Sequence, residues 1–261
     1  MSILTEEARQ RWEKQGYVRL RNALPPARVA ELRAWIEEVE GWSMRRRPGM
    51  HHFEQTQDGP RIARSEDFEP HHRGLSAFLK TGILTDVLEE LFGEPAVLFK
   101  EKINYKHPGG GGFAPHQDAS AYRFVDFHIS VMVPLDPATV DNGCLFFAPG
   151  HDQGLLPNTD GRIAPEWLRT ARWEPVTAEP GDLVFFDSYA PHKSDTNRSE
   201  ASRRLMYLTY NPASKGDFRE IYYADKRKEF TEVGERGASG NVRMSINDDF
   251  LGKPVPNPVD D

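Results

Sequence analysis

Cysteine is nearly absent: Cys144 is the single thiol in 261 residues. No disulfide can form within the chain, so nothing in it asks for an oxidising compartment, and a cytoplasmic setting is expected. Long apolar runs are missing too. No stretch approaches the roughly 18 residues that a membrane-spanning helix requires. The opening MSILTEEARQ mixes charges where a secretory leader would be apolar, so a soluble, unprocessed protein is expected. Basic charge is in deficit, with 33 Lys and Arg against 40 Asp and Glu and a net charge of -7. Neutralising a nucleic-acid backbone takes clustered, uncompensated cations, so the expected partner is a small-molecule substrate, with neither nucleic acid nor membrane involved. Internal repeats, low-complexity runs and interdomain linkers are also lacking, which points to a single domain over residues 1–261.

What is present falls into two textures. In the first, about residues 1–93, apolar residues recur at helical spacing. Val29, Leu32, Ile36 and Val39 lie on one face of PPARVAELRAWIEEVEGW, behind a proline pair suited to a helix start. A second helical region from Leu75 to Phe92 is interrupted by Gly82 and closed by Gly93, and the two should pack together against a sheet. The segment from Met44 to Phe68 is polar and unperiodic, which favours a functional lid. From about 97 to 225 the texture changes to AVLFKEKINYK, FHISVMVPL, CLFFAPG, DLVFFD and RLMYLTYN, short β-rich runs divided by Gly, Pro, Asn and Asp. The fold class expected is mainly β with flanking α-helices, a sandwich or jelly roll. The tail, 226–261, is polar and placed to cover part of the mouth.

The chemistry concentrates in a few positions. Side chains two apart on a strand share a face, so His116 and Asp118 can present an imidazole and a carboxylate to one cation while Gln117 points away. Two His and one carboxylate on one face of an octahedral ion leave three positions open, the arrangement of Fe(II) oxygenases. His192, after the apolar strand of GDLVFFDSYAP, is the candidate third ligand, and the loop KSDTNRSEAS then leads back toward Arg203. A guanidinium fork matches a carboxylate bidentately and keeps its charge when buried. Arg203 is therefore the expected holder of the distal carboxylate of 2-oxoglutarate; Arg204 competes for the role, since only one of two adjacent strand residues can point inward, and the eleven-residue offset from His192 favours Arg203. A lone H-x-D is common. The order HPGGGG, H-x-D, two apolar strands, GD-strand, His, and Arg eleven positions later is not.

Over most of the chain, from GYVRLRNALPPARVAELR through KINYKHPGGGGFAPHQD and DNGCLFFAPGHD to the Arg203 strand, the sequence resembles the phytanoyl-CoA dioxygenase family, which includes the ectoine hydroxylases. The resemblance implies a double-stranded β-helix, a cupin-like jelly roll. It implies Fe(II) on His116, Asp118 and His192, with 2-oxoglutarate at Arg203 and O2 as the oxidant. It also implies Ser194, Asn104 and Lys100 as polar contacts on the cosubstrate side, and Tyr122 and Phe186 as aromatic walls. Related halogenases carry a small residue where this chain has Asp118, so hydroxylation is the implied reaction. Phosphonate-oxidising members share much of this look, whereas a CoA ester would favour a larger basic entrance, and PNPVDD is no peroxisomal signal.

Other residues receive structural readings. His52 and Glu54 alternate like a second half-site, but no strand-like run surrounds them. Arg45, Arg46, Arg47, Arg61 and Arg64 read as a solvated face of the loop, with steering of an anionic substrate as the functional alternative. His71 and His72 are expected at the surface, His107 and His128 in structural hydrogen bonds, His151 fixing its turn, Cys144 in the core, and Trp12, Trp35 and Trp42 packing the helices. Two competing functions use the same scaffold: a cupin-like Zn or Mn hydrolase or isomerase, which would not need Arg203, and a non-catalytic ligand binder.

Overall fold

The computed structural model describes residues 2–44, 48–235, 243–247 and 249–258, so Arg45, Arg46 and Arg47 lie outside the described residues. Helix α1 (Glu6–Gln15) starts at Thr5, whose side chain accepts the Ala8 amide, and ends at left-handed Gly16. Strand β1 (Tyr17–Leu20) leads to α2 (Pro26–Trp42), which buries Val29, Leu32, Ile36 and Val39 as the spacing predicts. The second helical region divides at Gly82 into α3 (Arg73–Lys80) and α4 (Ile83–Phe92). His72 is not a surface residue. It is half-buried, caps α3 by accepting the Leu75 amide at 3.0 Å, and packs against Trp35 and Trp42.

The segment expected to be a lid is instead a hairpin of β2 (Met50–Thr56) and β3 (Gly59–Glu66), which widens a sheet. Its strands lack an apolar alternation because their buried positions include His52, Glu54, Arg64 and Glu66, all nearly inaccessible. A polar interior reads, in sequence, like a solvated loop.

The remaining strands are β4 (Ala96–Lys106), β5 (Phe113–His116), β6 (Ile129–Pro134), β7 (Leu145–Phe147), β8 (Asn158–Thr159) and β9 (Arg162–Ile163). After a single turn, α5 (Pro165–Leu168), come β10 (Glu174–Val176), β11 (Leu183–Asp187), β12 (His192–Ser194) and β13 (Arg203–Pro212). Helix α6 (Arg219–Glu235), which spans the expected start of the tail at 226, and β14 (Pro254–Val255) complete the order. The major sheet runs β1-β11-β6-β13-β4-β3-β2-β14 and the minor sheet β10-β7-β12-β5-β9-β8. From β4 onward the chain passes back and forth between the two, with β4, β6, β11 and β13 in one and β5, β7, β10 and β12 in the other. This is the expected double-stranded β-helix.

Helices α2 to α4 cover the outer face of the major sheet, where Leu32, Ile36, Leu79 and Leu88 meet Ile103, Val131 and Leu208. Each such buried aliphatic side chain contributes about 1.5–3 kcal/mol, enough in sum to fix the helices on the sheet. A second apolar cluster, including Met132, Leu145, Phe147, Val184 and Leu205, fills one end of the space between the sheets. The other end is polar and holds the site.

Candidate active site

The two imidazoles face each other because their strands pair: His192 of β12 lies opposite His116 of β5. Their ring centroids are 4.2 Å apart. Asp118 does not lie on the strand as the alternation implied. It opens a 3-10 turn one residue beyond, yet extended Gln117 preserves the alternation, so the carboxylate still turns inward. His116 Nε2 lies 3.9 Å from Asp118 Oδ1, and one donor atom from each of His116, Asp118 and His192 lies within 4.8 Å of the other two. Among the described residues, this is the set of three such side chains able to hold a metal.

Tautomers are fixed by the backbone. His116 Nδ1 donates to Ala114 O at 2.7 Å and His192 Nδ1 to Ala190 O at 2.9 Å, since a carbonyl can only accept. Both Nε2 lone pairs therefore point into the site, the usual support of a metal-binding histidine. Burial pushes His192 down to about 4, with His116 adding to the effect, so the ring is neutral at pH 7. Burial opposes ionisation of Asp118, but His192, Lys100 and Lys102 outweigh it and hold the carboxylate below its ordinary range. Asp118 Oδ2 accepts from Ser130 Oγ at 3.2 Å, which in turn lies 2.9 Å from Thr209 Oγ1.

Outward-facing Gln117 ties three loops together, accepting from Leu156 N and donating to Gly154 O and Tyr189 O. The glycine run ahead of β5 is a close-approach device. A Cβ on Gly112 would come within 2.1 Å of Ser194 O, so only glycine lets the turn lie against β12.

Arg203 is 2 % exposed. Its Nε donates to Asn142 O at 3.1 Å and one terminal nitrogen to Gly143 O, while NH1 has no hydrogen-bond partner among the described residues. Arg204 points outward into Asp136, with Nε 2.9 Å from Oδ2, and Arg203 is the member of the pair that lines the cavity. The proximity of His192 and Arg203 has a different origin from the one expected. Strand β12 pairs with β5 and β7, and β13 with β4 and β6, so the facing of the two sheets, not a hairpin, joins them.

A cavity connects triad and arginine, and Lys100, Asn104, Ser194 and Phe186 line it. Tyr122 stands one layer back, its ring under the Lys100 ammonium at 4.4 Å, and Tyr222 of α6 lines the wall instead. Residues 245–247 and Asp249 from the tail also line the cavity. Asp249 Oδ2 is 3.7 Å from His116 Nε2.

Sequence reasoning missed Arg64, Glu66, Lys102, Lys106 and Lys226, all in the lining. Arg64, expected on a solvated face, is 2 % exposed, whereas Arg61 is exposed. One signal was available: KEKINYK carries polar residues at 100, 102, 104 and 106, a period-two stripe facing inward from β4. The rival half-site proves structural although it does lie on a strand. Glu54 accepts the Gly111 amide at 3.0 Å and His52 faces Glu66 at 3.7 Å. His107 makes the expected structural bonds to Ser202 and Ile62 O, but His128 does not, its two ring nitrogens lacking partners among the described residues.

Residues 12–205 match the phytanoyl-CoA dioxygenase (PhyH) family. The chain belongs to that family. It is 47% identical over 256 residues to the methylphosphonate hydroxylase of Gimesia maris, covering 97% of this chain and 98% of that one. It is 40% identical over 261 residues to the 2-aminoethylphosphonate dioxygenase of an uncultured bacterium, HF130_AEPn_1, covering 98% of this chain and all of the other. The solved structure of EctD from S. alaskensis with 2-oxoglutarate and 5-hydroxyectoine superposes with a TM-score of 0.70 at 21% identity, over 81% of this chain and 77% of that one. That likeness is one of fold. No helix among the described residues is long and apolar enough to cross a membrane.

Proposed function

We propose that this member of the phytanoyl-CoA dioxygenase family hydroxylates a small phosphonate, using Fe(II), 2-oxoglutarate and O2 and releasing succinate and CO2. One observation carries the reading: three ligand side chains converge at one end of a buried cavity and an arginine with an unsatisfied nitrogen stands at the other. The names of two relatives that match nearly the whole chain support a phosphonate substrate.

Iron with 2-oxoglutarate and O2 supplies an oxidant able to break an unactivated C–H bond; the protein supplies binding and geometry. His116, Asp118 and His192 would hold the metal, a donor set suited to Fe(II). Ser130 keeps Asp118 turned inward. Arg203, braced by Asn142 and Gly143, would give its remaining nitrogen to the distal carboxylate, beside Ser194 and Lys106, whose side-chain nitrogen lies 3.1 Å from Ser194 Oγ. Phe186 forms the apolar floor under His192. Lys100 and Asn104 stand on the same wall, available to anionic groups. A hydrolase on the same ligands has no use for Arg203, which favours the oxygenase. The reading takes residues 1–261 as one domain, supported by β1 pairing with β11 and by α2 to α4 sharing a core with β4, β6 and β13. It places the enzyme in the cytoplasm, where a reducing environment suits Fe(II) and the buried Cys144.

The test is an oxygen-free titration with Fe(II) and then 2-oxoglutarate, expected to develop the visible metal-to-ligand charge-transfer band. Admitting O2 with methylphosphonate or 2-aminoethylphosphonate should then raise succinate release above the substrate-free rate. Folded, metal-loaded protein without the band would remove the oxygenase reading. A band without stimulation by either compound would remove the substrate.

A further inference from the structure

Resting on that reading, we propose that Arg64 is the anchor for the substrate's phosphonate group, a second anion subsite separate from the 2-oxoglutarate site at Arg203. Of the residues lining the cavity, Arg64 and Arg203 each present a guanidinium nitrogen without a hydrogen-bond partner among the described residues.

The two are braced in the same way. Arg64 Nε donates to Asn104 Oδ1 at 3.0 Å, and NH1 donates to Met244 O at 2.7 Å and lies 3.3 Å from Glu66 Oε1. NH2 is left over. Arg64 is 2 % exposed, and a buried donor of this kind is costly unless something supplies an acceptor. Glu66 does not neutralise the site, because it is shared with Lys226, which is bonded to its other oxygen. Lys100 and Lys102 add two more ammonium groups on the same wall, packed against Tyr122 and Tyr207 rings and making no ion pair among the described residues. Cations therefore outnumber carboxylates here, as a dianion requires.

One ligand does not serve both arginines. Arg203 lies on β13 and Arg64 on β3, with β4 between them, so their backbones stand about 10 Å apart. Arg203 is held toward the carbonyls ahead of β7, whereas the Arg64 guanidinium lies over the Phe113 ring of β5 at 5.4 Å. The two forks thus enter the cavity from opposite flanks of the β4 stripe, each toward the minor sheet that carries the triad. The leftover NH2 offers two N–H donors of fixed direction to the oxygens of a phosphonate, beside the positive charge of the guanidinium; a lysine offers only a point charge.

The experiment is oxygen-free calorimetry on full-length protein loaded with Fe(II) and 2-oxoglutarate, with methylphosphonate and 2-aminoethylphosphonate as probes. Arg64→Lys should weaken phosphonate binding by about 10- to 100-fold, the loss expected for hydrogen bonds to a charged group, and leave 2-oxoglutarate affinity and melting temperature close to wild type. Asn104→Ala, which frees Nε and loosens the fork, should weaken it less and in the same direction, and it serves if the lysine variant folds poorly. Undiminished phosphonate binding in both variants overturns the proposal, as does an equal loss of phosphonate and 2-oxoglutarate. Wild-type protein that takes up 2-oxoglutarate but neither phosphonate removes the substrate reading and this anchor together, a result distinct from failure of the variants alone.

Discussion

The two sheets of this protein do different jobs by different means. The minor sheet sets the triad with very short strands: β5 has four residues and β12 three. What fixes its two imidazoles is backbone, through the His116–His192 pairing, two Nδ1 bonds to carbonyls, and a glycine turn pressed against Ser194. The major sheet presents its cations on long strands, ten residues of β13 and eleven of β4, where register aims the side chains inward and carbonyls brace Arg203. A metal demands a few atoms at fixed distances, which local backbone can enforce. A polyatomic anion demands a field and several donors, which a stripe of long side chains can provide.

If that division holds, damage to the minor sheet should be the more severe. Partners one shell out from a metal are each worth 10- to 100-fold, so His192→Ala, which removes a ligand, should lower iron affinity by more than about 100-fold. Iron competition with a chelator, followed by melting of the apo form, separates this from unfolding. Retention of tight iron binding would remove His192 from the ligand set.

Damage to the major sheet should be graded and specific to one anion. Arg203→Ala should raise the 2-oxoglutarate concentration needed for half-maximal succinate release by about 10- to 100-fold, with iron binding preserved. Arg204→Ala should leave that requirement unchanged, because its guanidinium is spent on Asp136 outside the barrel. The reverse pattern would overturn the inward assignment of Arg203.

The same division decides what the sequence made legible. The triad, the glycine run and Arg203 could be read because backbone constraints leave local marks: H-x-D, four consecutive glycines, an arginine at a strand start. Helices α2 to α4 were legible from apolar spacing, down to the break at Gly82. The β2–β3 hairpin was not, because its inward positions hold Arg64, Glu66 and His52 and its pattern mimics a solvated loop. Nor were Tyr222 and Lys226 of α6. They reach the cavity because α6 docks on the major sheet through contacts such as Arg219 on Glu101 of β4, residues 118 positions apart.

The finest expected effect contrasts histidines on the two sides. His116 and His192 have their Nδ1 hydrogens satisfied by carbonyls. His128 packs tilted against Phe99 and Tyr122 at 4.7 and 4.5 Å with neither nitrogen bonded among the described residues. Burial, helped by the charge of Lys100, pushes it from 6.5 down to about 3. The folded state thus holds fewer protons than the unfolded chain between those values. Stability is untouched above about pH 6.5 and falls as pH drops toward 3, by up to about 1.4 kcal/mol per pH unit for one proton. His52, also pushed down to about 3 by burial, adds a similar slope. His128→Phe keeps an aromatic ring there and removes one of these contributions, so urea unfolding between pH 4 and 8 should show the difference between variant and wild type constant above pH 7 and moving in the variant's favour below pH 6. Parallel curves over the whole range would mean that His128 carries its proton in the folded state, and that the aromatic cluster behind Lys100 is wetter than its packing implies.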